Sequence, residues 1–149
     1  MGHSADLEIQ DKHGHPLVLV EVKGKLGTTS DWAAAMRRNL AAHGILPPAK
    51  FFLLAMPDRF FVWVGKTQRV EVLEPDLSFD PAPVLQPYLS LAGVQRDDLA
   101  GSSLELLVAS WLGEVARGHG VERLPADAAA WLEKAGFFEA VRSGRLERN

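Results

Sequence analysis

Hydrophobic and polar positions alternate near the start of the chain and then give way to a continuous hydrophobic run. In residues 5–11, Leu7 and Ile9 are separated by polar residues, which is the period of a half-buried β-strand. Residues 17–22, LVLVEV, predict a central strand that is buried on both faces. Residues 12–15, KHGH, supply the glycine that a tight turn needs. The two runs therefore predict a β-hairpin.

A two-residue loop in this turn would set the register of the hairpin. If Lys12 faces His15, then Asp6 lies directly opposite Glu21. Lys23 projects from the same face two residues further on. On the opposite face the same register pairs apolar residues, namely Leu7 with Val20 and Ile9 with Val18.

This register predicts a cluster of charge on one face of a largely apolar strand. Carboxylates whose Cβ atoms lie about 5 Å apart repel each other unless a cation or a shared proton lies between them. With Lys23 beside Asp6 and Glu21, a divalent metal ion is the simplest way to relieve the repulsion. Glu8, on the same strand as Asp6, is expected to face solvent, and the alternative is a carboxylate that supports the metal ligands without binding the metal. The structural alternative is a buried salt-bridge cluster of the same three residues without a metal.

Residues 31–43, DWAAAMRRNLAAH, predict a helix that is capped by a residue among 28–30 and ends at Gly44. Its apolar stripe contains Trp32, Met36 and Leu40, and Asn39 shares that stripe, so Asn39 is expected to face the sheet. Arg37 and Arg38 lie off the stripe. Residues 50–56 predict a buried strand that runs parallel to 17–22, because a strand, a helix and a strand in succession form a parallel crossover.

The remaining pattern predicts two further strands and then helices. Residues 60–64 form an apolar strand, residues 68–74 a weaker edge strand, and residues 75–87, with four prolines, a loop. Three helical segments follow, beginning at Ser102 or Ser103 and covering 102–118, 126–136 and 137–149. The fold class is therefore α/β (α+β), a central mixed β-sheet flanked by helices. The chain is expected to form a single domain, 1–149, with a sheet core in 5–74 and a mainly helical extension in 75–149.

Composition excludes several classes of site. The 149 residues contain no cysteine, so disulfides, zinc–thiolate sites and thiol nucleophiles are excluded. No apolar run is long enough to span a membrane, and a cytoplasmic location is expected. The net charge of −3 divides unevenly, with +3 in residues 1–70 and −6 in 71–149. A basic half could meet a polyanion such as nucleic acid, although the charge balance alone does not require one.

An aspartate on one strand, Glu-x-Lys on the next, then a helix and a parallel strand resemble the PD-(D/E)xK nuclease superfamily, whose fold is called restriction-endonuclease-like. Asp6 matches the aspartate and Glu21-Val22-Lys23 matches (D/E)-x-K, at a separation of fifteen residues. DLEIQDKHGHPLVLVEVKGK is most similar to the nuclease modules of type I restriction subunits and RecB-like enzymes. Residues 39–43, NLAAH, stand where those members often have Gln-Leu-x-x-Tyr. The resemblance covers residues 5–64.

The resemblance implies a metal-dependent endonuclease that acts on DNA in restriction, defence or repair. Asp6, Glu21 and the Val22 carbonyl would hold Mg²⁺ or Mn²⁺, and Lys23 would activate water. Asn39 would hold Lys23 or a phosphate oxygen. The residues implied for contacts with the DNA backbone are Lys25, Arg37 and Arg38.

Members of the family usually carry a helix and a strand before the aspartate, whereas here four residues precede Ala5, where members have a proline. The resemblance therefore implies that a missing segment or a partner chain completes the sheet, or that the site is inactive. A homodimer or a larger restriction or repair assembly would fit. Two other functions stay open, a catalytically inactive nucleic-acid-binding or interaction module of nuclease fold, and a protein with an unrelated α/β sheet in which the three charges are structural.

Overall fold

The computed structural model describes residues 5–149 as six β-strands and five α-helices around one mixed sheet. In chain order the elements are β1 (Leu7–Gln10), β2 (Pro16–Val22), α1 (Ser30–Ala42), β3 (Phe51–Met56), β4 (Arg59–Val64), β5 (Leu77–Phe79), α2 (Ala82–Ala92), α3 (Gly101–Ala116), α4 (Ala126–Ala135), α5 (Phe137–Ser143) and β6 (Arg145–Arg148). The predicted α/β class with a central mixed sheet and flanking helices is confirmed.

The strand order is β5-β4-β3-β2-β1-β6. Strands β2 and β3 run parallel, whereas each of the other neighbouring pairs is antiparallel. Helix α1 therefore connects two adjacent parallel strands, as predicted. Its first turn is capped by Thr29, whose Oγ1 accepts the Trp32 N–H at 3.1 Å. The carboxyl ends of β2 and β3 consequently lie at the same edge of the sheet.

The β1–β2 hairpin has the predicted pairing but a different turn. Leu7 pairs with Val20 and Ile9 with Val18, which confirms the register. The turn is closed by a hydrogen bond from the Asp11 N–H to the His15 carbonyl at 2.9 Å, so its loop has three residues and Lys12 does not face His15. Gly14 takes a φ of 82°, as the last residue of such a loop requires. A bulge between Ile9 and Gln10 offsets the extra loop residue and restores the register.

The two faces of the sheet carry separate hydrophobic cores. Helices α2 to α5 contribute to the core on the face of Leu7 and Val20, and α1 contributes to the core on the face of Leu19. Because successive residues of a strand point to opposite faces, Glu8 and Glu21 lie on the face that carries the α1 core, the face of Leu19. Asp6 immediately precedes β1.

The structure differs from the predicted elements in three places. Residues 68–74 form no strand, and the edge strand is instead β5, inside the segment predicted as a proline-rich loop. That segment also contains the start of α2, where Pro81 and Pro83 stand at the helix N-terminus, which tolerates proline. Residues 137–149 are a short helix followed by strand β6 rather than one helix. The part after residue 74 thus supplies both edge strands of the sheet.

The Arg145–Arg148 strand pairs antiparallel with β1 on the side away from β2. Strand β1 is therefore not an edge strand, because β6, which follows α5 in the chain, occupies this side of the sheet. Within residues 5–149, no helix combines the length and apolar character needed to cross a bilayer.

Candidate functional site

Asp6 and Glu21 meet across the open end of the β1–β2 hairpin. The Asp6 N–H donates to Glu21 Oε1 at 3.2 Å, and Asp6 Oδ2 accepts the Val22 N–H at 2.8 Å. Each acid therefore binds the other's strand through the main chain, and these reciprocal bonds keep the two carboxylates adjacent. The pairing of Asp6 with Glu21 that the register predicted is present in the structure.

Glu21 is almost completely buried, at 2% exposure, in a strand whose other central residues are apolar. Burial raises the pKa of the Glu21 carboxyl, and the neighbouring Asp6 carboxylate raises it further, whereas Lys23 acts in the opposite direction. The pKa of Glu21 is raised because the charges around it do not compensate for its burial. A cation placed between Asp6 and Glu21 would provide that compensation.

Lys23 lies beside this pair without closing a tight salt bridge. Its Nζ is 3.6 Å from Glu21 Oε2, and its side chain is 40% exposed. Its main chain is fixed, because the Lys23 N–H donates to the Ala55 carbonyl at 3.0 Å and so extends the pairing of β2 with β3. The ammonium group thus lies at the border between the buried Glu21 carboxylate and solvent, where a bound reactant could reach it.

The Val22 main chain also faces the acids. Its N–H binds Asp6 rather than β3, and in a strand the N–H and C=O of one residue point to the same side. The Val22 carbonyl therefore lies on the Asp6 side of β2. Together with the two carboxylates it offers the oxygen ligands that Mg²⁺ or Mn²⁺ prefers.

The loop after Lys23 is held against two other parts of the chain. A Cβ atom on Gly24 would lie 2.9 Å from the Gly101 nitrogen, so only glycine fits where this loop crosses the start of α3. The Gly27 N–H donates to Asp58 Oδ2 at 3.0 Å, which ties the loop to the β3–β4 turn. These contacts give the chain a defined path as it leaves the site. Lys25 is exposed within this loop, and its Nζ lies 5.9 Å from the centroid of the Trp32 ring.

The predicted orientation of Asn39 is wrong. Helix α1 buries Ala33, Ala34 and Leu40 against the sheet, and Asn39 is exposed on the outer side. The physical reason is that the small alanines, rather than Trp32 and Met36, let the helix approach the sheet closely, which rotates the buried stripe away from Asn39. The structure does not bring Asn39 to Asp6, Glu21 and Lys23.

Arg37 is also not where its predicted contact with DNA requires it. Its side chain is fully buried, and its guanidinium donates to three carbonyls of the segment after β4, at 2.5–2.8 Å. Those carbonyls belong to Lys66, Arg69 and Glu71. Because residues 66–71 form no strand, Arg37 satisfies main-chain groups that a sheet would otherwise pair. Arg38, the next residue, is exposed.

Asn149 was missed by the sequence analysis, which also favoured the wrong environment for Glu8. Glu8, expected in solvent, is only 7% exposed, and Asn149 donates through Nδ2 to the Ala5 carbonyl at 2.7 Å. The alternation of residues 5–11 identified Glu8 as a polar position of β1 but could not reveal its contact with Asn149, which follows β6. Asn149 follows a four-residue strand, which is too short for its period to be distinguished from that of a helix.

Across residues 5–149, no three histidine, aspartate or glutamate side chains converge as a metal site, so the donor set at Asp6 and Glu21 consists of two carboxylates and main-chain oxygen. Such a set fits Mg²⁺, which is commonly held by one or two carboxylates and keeps several of its waters. Comparisons of the chain with protein-family models, with curated proteins and with solved structures find no match.

Proposed function

We propose that the protein is a metal-dependent nuclease that hydrolyses DNA phosphodiester bonds, with a sheet of restriction-endonuclease-like type. The observation that carries the proposal is the pair of carboxylates, Asp6 and Glu21, held together by main-chain bonds, with one member buried and a single, partly exposed lysine 3.6 Å from it. A protein gains no stability from such a pair. An arrangement that is costly in the fold is therefore best explained by a ligand that the pair binds.

Asp6, Glu21 and the Val22 carbonyl would hold the metal, with Mg²⁺ or Mn²⁺ as the candidates. When bound, such an ion lowers the pKa of a coordinated water and withdraws charge from the phosphoryl oxygens. In the protein, the Asp6 N–H and the Val22 N–H each occupy a carboxylate oxygen, which fixes the rotation of both side chains. The main chain would thus keep both carboxylates in place for the ion.

Lys23 is positioned to assist the attack of water on the phosphorus atom. Its Nζ is near Glu21 and partly exposed, so it can donate a hydrogen bond to the attacking water or to a phosphoryl oxygen. Negative charge increases on those oxygens in the transition state, and a fixed ammonium stabilises them more than it stabilises the substrate. Lys25 and Arg38 are both exposed and would bind backbone phosphates, which carries no sequence information. These two contacts and the role in restriction, defence or repair rest on the resemblance.

The test is cleavage of supercoiled plasmid and of single-stranded DNA with Mg²⁺ or Mn²⁺. Wild-type protein is compared with Glu21→Gln and Lys23→Ala, and Lys12→Ala is the matched control because Lys12 is an exposed lysine of the same hairpin. We expect both site variants to lose cleavage by roughly 100- to 1,000-fold and the control to keep it. Cleavage that survives both site substitutions would come from another source and would refute the proposal. DNA binding without cleavage would instead indicate an inactive module.

A further inference from the structure

Strand β6 reaches the site from the side opposite β2. Leu7 pairs with Arg148 and Glu8 with Glu147, and beyond them the Asn149 N–H donates to the Asp6 carbonyl at 3.0 Å. The main chain of Asp6 is therefore held on both sides, because its N–H binds Glu21 and its carbonyl binds Asn149. The position of the Asp6 carboxylate depends on both of these bonds.

The side chain of Asn149 joins the residues on either side of Asp6. Its Nδ2 donates to the Ala5 carbonyl at 2.7 Å and lies 3.4 Å from Glu8 Oε2. The other oxygen of Glu8 accepts from Gln10 Nε2 at 3.1 Å. The Asn149 amide thus contacts the main chain just before Asp6 and a carboxylate two residues after it.

Glu8 is a buried acid that the proposed chemistry does not use. A carboxylate at 7% exposure needs hydrogen-bond donors, and the donors here are two side-chain amides, those of Gln10 and Asn149. Because a carboxylate accepts only, it fixes which end of the Asn149 side chain is the NH₂ group. The NH₂ group then faces both Glu8 and the Ala5 carbonyl.

We propose that Asn149, oriented by Glu8, is a positioning residue that holds Asp6 in the geometry needed to bind the metal ion. The inference rests on the proposed function and extends it to the last strand of the sheet. Substitution of a residue that orients a metal ligand typically lowers metal affinity or activity by 10- to 100-fold. Asn149 therefore acts on the site through Asp6, and Glu8 acts through Asn149.

The competing explanation is that β6 only covers the edge of β1. Arg148 is the matched control, because it lies on the same strand next to Asn149, and its guanidinium binds Glu105 of α3 at 2.8 Å. A substitution at Arg148 removes a side-chain bond of β6 without touching Asp6, Glu8 or Ala5. If β6 is only a cover, Asn149→Ala and Arg148→Ala should behave alike.

The experiment measures Mn²⁺ affinity by calorimetry, the thermal midpoint, and kcat and KM for DNA cleavage at saturating Mn²⁺. We expect Asn149→Ala to weaken the Mn²⁺ affinity by about 10-fold and to lower kcat by about 10-fold. The KM for DNA should stay unchanged, and the loss of thermal stability should be similar to that of Arg148→Ala. Arg148→Ala should keep wild-type affinity and kcat. Glu8→Gln should lower the Mn²⁺ affinity and kcat by several-fold. In the double variant it should add little to the effect of Asn149→Ala, since the two residues act in one chain of contacts.

The outcomes separate the two proposals. If wild-type protein binds Mn²⁺ and cleaves DNA, and Asn149→Ala and Glu8→Gln both match Arg148→Ala, the positioning role is refuted while the nuclease proposal stands. If wild-type protein neither binds Mn²⁺ nor cleaves, the nuclease proposal fails and the positioning role fails with it. If Asn149→Ala does not fold, Glu8→Gln alone decides, and an unchanged kcat and Mn²⁺ affinity in that variant would overturn the inference.

Discussion

Two clusters of polar side chains within residues 5–149, one in the helical layer and one at the end of the hairpin, differ in how their charges are balanced. In the helical layer, Glu114 accepts hydrogen bonds from the Tyr88 hydroxyl and from Arg123 Nη2, the latter at 2.7 Å. At the hairpin end, Glu21 has Asp6 as its neighbour and Lys23 at 3.6 Å. The first cluster pairs one acid with two donors, whereas the second places two acids next to one loosely held cation.

The pKa directions follow this difference. The hydrogen bond from Tyr88 lowers the pKa of Glu114, and Arg123 lowers it further against the effect of burial. Burial and Asp6 raise the pKa of Glu21. A compensated cluster serves the stability of the fold, while an uncompensated one reduces it and has to be explained by something else. This contrast is the physical basis for assigning function to the hairpin cluster and structure to the helical one.

The largest expected effect concerns activity. Asp6→Asn removes one of the two carboxylates, and we expect DNA cleavage to fall by roughly 1,000-fold or more, because the metal would lose a charged ligand. Glu114→Gln, the equivalent change in the helical cluster, should leave cleavage within about twofold of wild type. Initial rates on plasmid DNA at matched protein concentrations measure both variants. Equal losses in the two variants would remove the distinction between the clusters.

The largest expected effect on stability lies at the buried arginine of α1. Arg37→Met should lower the free energy of unfolding by roughly 3 kcal/mol, because three carbonyls that now bind the guanidinium would lose their donor. Arg38→Ala, at the exposed neighbour, should change it by less than about 0.5 kcal/mol. Urea unfolding followed by circular dichroism measures both values. A small effect at Arg37 would mean that water satisfies those carbonyls.

Replacement of Glu21 by glutamine is expected to stabilise the protein. Its pKa in the folded protein lies above the ordinary value of 4.5, so the fold binds the carboxyl proton more tightly than the unfolded chain does. Stability is therefore lost as the pH rises from below 4.5 through the raised pKa of the folded state. At pH 7 without divalent metal, Glu21→Gln should raise the free energy of unfolding by roughly 1–2 kcal/mol. The gain should vanish near pH 3, and its persistence there would contradict the electrostatic origin.

The opposite pH dependence is expected at Glu114. Because its pKa is lowered in the folded protein, it contributes stability above the ordinary value of 4.5, and this contribution is lost as the pH falls through the lowered pKa. Glu114→Gln should destabilise the protein at pH 7 by about 1 kcal/mol and have little effect at pH 3, since the cluster is partly exposed to solvent. Thermal unfolding at the two pH values measures the change. If Glu114→Gln stabilised the protein at pH 7, as Glu21→Gln is expected to do, the contrast between the two clusters would be contradicted.

The hairpin cluster could be predicted from sequence because its geometry is local. Alternation fixes which residues share a face, and the apolar pairs of Leu7 with Val20 and of Ile9 with Val18 fix the register. The prediction of the turn was wrong, yet the pairing survived, because the bulge at Ile9 offset the additional loop residue. Burial of the apolar face thus determined the register more strongly than the turn did.

The parts that could not be predicted depend on contacts between distant segments. Glu8 is buried, and one of its two side-chain partners, Asn149, is 141 residues away. Burial of Arg37 results from a segment without secondary structure that needs a donor, which no periodic pattern reveals. Strands β5 and β6 have three and four residues and take their conformation from the strands beside them. Only the pairing with neighbouring strands distinguishes β5 from the predicted loop and β6 from the predicted helix.

The central claim is that Asp6 and Glu21 together bind a divalent cation, and calorimetric titration with Mn²⁺ at pH 7 tests it most directly. Wild-type protein is titrated beside Asp6→Asn and beside Glu133→Gln, which alters an exposed acid of α4. We expect one saturable site in wild type and in Glu133→Gln, with affinity at least about 10-fold weaker in Asp6→Asn. A wild-type titration without a binding site, or one that Asp6→Asn leaves unchanged, would contradict the account.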